Sequence, residues 1–165
     1  MTVTVRARHQ YSHPVTKVWK VFTTPEFYQD KFEGVGARNV EVLSSDSDDG
    51  EFSIETTREV PLDVPSVLKT FLGEWNAMLQ NEHWEEDDGE YVNELEMSGD
   101  GVPARMTGSM RLKPSGKGCV NEVEITIKAQ VPLVGKKLEA FIAKGTEAQL
   151  AAEYDFIRGY LKKKK

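Results

Sequence analysis

The sequence predicts an α+β protein: a seven-stranded antiparallel sheet wrapped around a long C-terminal helix, with two short helices between strands one and two. Three observations carry this. Residues 104–113 and 120–131 alternate apolar and polar side chains, the period of strands with one buried and one wet face. The period switches to helical spacing at Ser12-His13-Pro14 and again after Pro132. Between these switches, clusters of Gly, Asp and Pro cut the chain at the short intervals of an antiparallel meander.

The elements follow in order. Residues 2–11 alternate, with Val3, Val5 and Ala7 on one parity, and form the first strand. Val15, Val18, Trp19 and Phe22 then fall at helical spacing, with Pro14 suited to the first helical position. Thr24-Pro25-Glu26 repeats a helix start, a hydroxyl cap before a first-turn proline, and Gly34 supplies its stop. Strands at 39–43 and 51–59 flank an Asp-rich turn ending in Gly50, and strands at 75–85 and 91–97 flank Glu86-Asp87-Asp88-Gly89. Strands at 105–113 and 120–131 complete the seven, joined by Pro114-Ser115-Gly116-Lys117-Gly118, and Glu122 and Glu124 are expected to pair across with Arg105 or Arg111. From Leu133 to about Lys162, residues including Leu138, Phe141, Ile142, Ala148, Ala152, Phe156 and Tyr160 fall near one helical stripe, with Glu139 and Glu153 elsewhere.

Composition narrows the class of work. A chain of 165 residues, 39% apolar and 29% charged, is read as one globular domain spanning 1–165, with a frayed basic tail at 162–165. The formal charge of −6 argues against a nucleic-acid partner, which requires clustered positive charge. Apolar runs fall short of a membrane span, Met1 to Gln10 lacks a signal-peptide core, and the single cysteine, Cys119, fits a reducing compartment. A cytoplasmic location without stable membrane insertion is expected.

The segments Tyr11-Ser12-His13-Pro14-Val15-Thr16-Lys17-Val18-Trp19 and Val131-Pro132-Leu133-Val134-Gly135-Lys136-Lys137-Leu138-Glu139, together with the element order, resemble the START-like superfamily, also called SRPBCC or the helix-grip fold. The resemblance spans nearly the whole chain and is strongest to a bacterial branch of unknown function. It implies a ligand held between a curved sheet and the long helix; members bind lipids, sterols, polyketides or hormones, some are polyketide cyclases or aromatases, and some act on partner proteins. The fold does not choose among these.

No residue set announces catalysis, a metal or a cofactor. His9, His13 and His83 lie on separate elements without a cysteine or carboxylate at ligand spacing. An EF-hand reading of the Asp-rich turn puts Thr56 where the bidentate glutamate belongs, and Gly116 and Gly118 lack the rest of a phosphate loop. Cys119 reads as a plain structural thiol. Arg58, His83 and Asn93 are the only candidates for an acid–base role. Arg58, close to Pro61, is expected at a strand end on the rim.

Strand parity turns Phe52, Ile54, Arg58, Asn93, Met97, Met106 and Met110 toward the long helix, whose Phe141, Ile142, Gly145, Gln149 and Phe156 face back. These twelve are the predicted ligand site. The expected function is non-catalytic binding or transport of a hydrophobic small molecule there. The alternatives are a protein-binding module and a cyclase-like enzyme.

Overall fold

The computed structural model describes residues 2–163. Strand β1 (Val3–Tyr11) leads into helices α1 (Val15–Phe22) and α2 (Pro25–Gly34). Six strands follow: β2 (Arg38–Asp48), β3 (Glu51–Pro61), β4 (Trp75–Asp87), β5 (Glu90–Gly99), β6 (Ala104–Ser115) and β7 (Gly118–Ala129). Helix α3 (Gly135–Lys163) ends the described chain. The strands form one sheet in the order β1-β7-β6-β5-β4-β3-β2, every neighbouring pair antiparallel. This is the expected architecture: seven antiparallel strands around a long C-terminal helix, with two short helices after the first strand.

Several boundaries differ from the sequence reading. Pro14 caps α1 from outside, with ψ 151, instead of occupying its first turn. β2 runs on through Asp46 and Ser47 because Asp49-Gly50, with Gly50 at φ 76, makes the whole turn. β7 stops at Ala129, and α3 begins two residues after Leu133, which is fully exposed in the left-handed region at φ 71. Of the basic tail, Lys162 and Lys163 continue α3 and are exposed, whereas Lys164 and Lys165 lie outside the described residues. The outer charges also pair differently. Glu122 meets Lys113 at 3.0 Å and Glu124 meets Arg6 at 3.1 Å, while Arg105 and Arg111 each reach a β5 glutamate, Glu96 and Glu90. Each is a solvent-exposed pair, screened by water and worth little to stability.

The sheet's inner face is divided lengthwise. One end is filled by aromatic rings: Phe22, Phe27, Tyr28 and Phe32 of α1 and α2 cluster with Tyr11, Phe52 and Trp84. Tyr28 donates its hydroxyl to the Phe22 carbonyl at 2.8 Å, so the most deeply buried phenol in this packing is satisfied. α3 packs on β1, β7 and α2. Its approach to α2 needs Gly34, where a Cβ would stand 2.3 Å from the Phe156 ring.

The buried line of α3 is Leu138, Ala143, Leu150, Ile157 and Leu161, rotated from the expected stripe. Both Glu139 and Glu153, expected in solvent, turn inward. Glu139 accepts the Ala129 amide at 2.8 Å and so caps the end of β7, and Glu153 meets Lys31 of α2 at 3.6 Å. A carboxylate in each place satisfies a group the fold leaves open, which outweighs its place in the hydrophobic pattern.

Candidate functional site

Because α3 leans on β1 and β7 and α2 on β2, the middle strands of the inner face are left with an unfilled space between the helices. A cavity of about 440 Å³ occupies that space, walled by the inner faces of β3 to β7, by α3, by the end of α2, and by the segment between β3 and β4. That segment carries one 3-10 turn, Ser66–Leu68. Leu62, Leu68 and Leu72 pack it against Leu138 and Phe141, and the Asn76 side chain ties back to both backbone groups of Gly73. Gly145, Ala148 and Ala152 line the cavity and are exposed, so the α3 side is its mouth.

Most of the wall is apolar and soft. Met97, Met106 and Met110, three residues expected there, line it together with Met78, which the sequence reading left unassigned. Phe141, Ile142, Gly145, Gln149 and Arg58 line it as well. Four of the twelve expected residues lie elsewhere. Phe52 and Ile54 belong to the aromatic core, Phe156 packs on Gly34 and Tyr160, and Asn93 sits behind the wall in a polar network. Parity chose the correct face for the strand residues, but position along the strand decides between core and cavity.

The network is a chain of side-chain hydrogen bonds on the inner face of β3, β4 and β5. Arg58 Nη1 donates to Gln80 Oε1 at 2.9 Å, Gln80 Nε2 to Glu82 Oε2 at 2.6 Å, and Asn93 Nδ2 to Glu82 Oε1 at 2.7 Å. All four residues are buried; Arg58 is 4% exposed, not at the rim as expected. Its guanidinium lies 4.0 Å from the Phe32 ring centroid, which lets the aromatic face of α2 cover a charge that Pro61 seemed to place near water. Burial pushes the Arg58 pKa down, against the carboxylates of Glu153 and Glu82.

A second polar patch faces Arg58 from the helices. Lys31 is 5% exposed, ringed by Phe27, Tyr28 and Phe32, and Glu153 accepts the Gln149 amide at 3.0 Å besides pairing with Lys31. Sequence reasoning missed Lys31, Gln80 and Glu153. Lys31 stands at i+4 and i+3 from Phe27 and Tyr28, which was the available signal that it shares their buried face.

The three acid–base candidates do not converge. Arg58 and Asn93 join the inner network, whereas His83 projects from the outer face, where Ser53 Oγ lies 2.7 Å from Nδ1 and Glu85 lies 2.9 Å from Nε2. The structure does bring carboxylates to it, contrary to expectation. Strand pairing sets Glu51 opposite Glu85, and one ligand atom from each of Glu51, His83 and Glu85 fall within 4.8 Å of one another. Their common parity across the paired strands β3 and β4 explains the grouping. His9, stacked on Tyr154 at 4.4 Å, is held below its ordinary pKa by burial.

Among the described residues no helix is long and apolar enough to cross a membrane. No curated protein matches the chain in sequence. Solved structures match its fold. TTHA0849 from Thermus thermophilus is 18% identical, with a TM-score of 0.61 over 93% of this chain and 95% of that one. Ara h 8.0201 is 12% identical, with a TM-score of 0.63 over 98% of each chain. Norcoclaurine synthase from Thalictrum flavum, solved with dopamine and hydroxybenzaldehyde, is 16% identical, with a TM-score of 0.59 over 95% of this chain and 87% of that one. At these identities the likeness is one of fold, and it agrees with the helix-grip architecture. A family described as "Protein of unknown function (DUF2505)" matches residues 6–161. The helix-grip chain described here therefore belongs to the DUF2505 family.

Proposed function

We propose that this protein binds or carries a hydrophobic small molecule between its sheet and α3. The observation that carries this reading is the cavity of about 440 Å³, within the size range of small-molecule sites, with an apolar and methionine-rich wall and a few convergent polar groups at one end. Norcoclaurine synthase, solved with two small aromatic molecules, has a similar fold, which is consistent with the reading. A binding role fits better than catalysis here because His83 is on the far face of the sheet from Arg58 and Asn93. Native mass spectrometry of freshly purified protein, with extraction and identification of any carried compound, tests the proposal alongside titration with an uncharged fluorescent probe such as N-phenylnaphthylamine. A carried apolar compound or saturable probe binding is expected. Protein that carries nothing and leaves the probe dark would refute it.

A further inference from the structure

Around the polar end of the cavity stand four ionisable side chains, Lys31, Arg58 and Glu153 on its wall and Glu82 behind it, whose partners differ in kind. Lys31 and Glu153 pair directly at 3.6 Å, and Gln149 donates to the second oxygen of Glu153. Glu82 accepts two amide donors, from Gln80 and Asn93, one on each oxygen. Arg58 is different. Among the described residues it has no carboxylate within ion-pair distance, and of its three nitrogens only Nη1 has a protein acceptor, the neutral Gln80 oxygen. Its Nε is buried without a partner.

Arginine keeps its charge in proteins and offers five N–H donors in a planar fork. Burying that charge with a single neutral acceptor costs free energy, and Gln80 stands between it and Glu82, the carboxylate that would otherwise pair with it. Asn76 and Thr146 add only neutral polarity to the wall, and the remaining lining is largely methionine and aliphatic carbon. We infer that the cavity takes an amphipathic ligand with an apolar body and one acidic head, and that Arg58 receives the head through the Nη donors that Gln80 leaves open, the buried Nε staying out of reach. The inference rests on the cavity being a ligand site, and it adds the ligand's charge. A ketone or hydroxyl would occupy a donor but give the guanidinium no directly bonded counter-charge, since Glu82 and Glu153 act on it only from beyond ion-pair distance. A carboxylate or phosphate does both, with the two-pronged geometry that arginine favours.

The test compares decanoate with decanamide, which differ at the head alone, as competitors of the uncharged probe N-phenylnaphthylamine on the full chain. The acid should displace the probe at a concentration about tenfold or more lower than the amide, the range expected when a hydrogen bond to a neutral group becomes one to a charged group. In Arg58→Gln, acid and amide should compete on equal terms. Arg58→Lys keeps the charge without the fork, should give an intermediate ratio, and serves if Arg58→Gln does not fold. Equal competition in the parent, with the probe bound, overturns the acidic head and leaves the cavity reading standing. An acid preference that persists undiminished in both variants removes Arg58 from the role. No probe binding in a parent that native mass spectrometry shows to carry nothing overturns both readings.

Discussion

Replacing Gly145 by leucine separates a working cavity from loosely packed core. Gly145 lies on α3 at the cavity wall, and a Cβ built there meets nothing within 4 Å. Removing a leucine from a packed interior leaves a void on the order of 150 Å³, so one added at this exposed position should take up at most roughly a third of the 440 Å³ available. Stability should not suffer. Glycine inside a helix costs about 0.8 to 1 kcal/mol relative to alanine, and leucine is nearly as good a helix former as alanine. Because Gly145 is exposed, only part of the new side chain's burial adds to that gain. The melting temperature should therefore stay level or rise by about 2 to 4 °C for each kcal/mol gained. A ligand forced to withdraw roughly two methylenes loses about 0.8 kcal/mol for each, which is roughly tenfold in affinity. Probe titration and a thermal melt on the same samples measure both quantities. A fall in stability of about 1 to 3 kcal/mol, the overpacking range, with probe affinity unchanged would refute the reasoning.

Two further perturbations probe the buried polar groups. Asn93→Asp replaces the amide that donates to Glu82 at 2.7 Å with a second carboxylate. It should destabilise by about 3 to 5 kcal/mol at neutral pH. The shared site raises a carboxyl pKa in the folded state, so the folded protein holds the extra proton, and the loss should shrink as pH falls. Urea denaturation at neutral and mildly acidic pH measures this, and a variant as stable as the parent at neutral pH contradicts it. His9 gives the opposite sign. Its folded pKa is lowered, by burial first, with Glu153 opposing and Arg158 assisting, so the unfolded chain binds more protons as pH drops below the ordinary value of 6.5. Parent stability should fall through that window on acidification, and His9→Phe, which keeps a ring against Tyr154, should flatten the decline. Equal slopes in the two proteins would exclude His9 as the cause.

How far the sequence was legible depended on whether a residue's environment repeats along its own strand or helix. β6 and β7 are bounded by core on one face and water on the other, so their alternation marks their extent to within two residues at each end. β4 defied the same reading because its inner positions include Asn76, Gln80 and Glu82, which serve the loop tie and the buried network and so make the core face look wet. Trp84 and Met78 on the same parity were the legible counter-signal. The cavity lining was visible only in part for a related reason. Parity tells a strand's face but not the distance along it, so Phe52 and Ile54 were expected beside the ligand although they lie among the aromatic rings. Lys31 and Glu153 are far apart in sequence, and each alone looks like an ordinary surface charge; their pairing exists only once α2 and α3 are docked.

The pairing of β1 with β7 sets the order in which the protein can be made. Val3 lies opposite Ile127 and Tyr11 opposite Cys119, so the first strand to leave the ribosome waits for the last strand before it has a neighbour. The hairpins from β2 through β7 can zip successively, since each pairs with the strand just before it. Until β7 and then α3 emerge, β1 has an unpaired backbone, and the first two helices carry Phe22, Phe27 and Phe32 with no completed sheet to cover them. Closing a loop of more than a hundred residues is slow relative to hairpin formation, and it comes late in a chain lengthening at about 5 to 20 residues per second. The aromatic end is therefore the part of the fold whose cover depends on contacts made last along the chain.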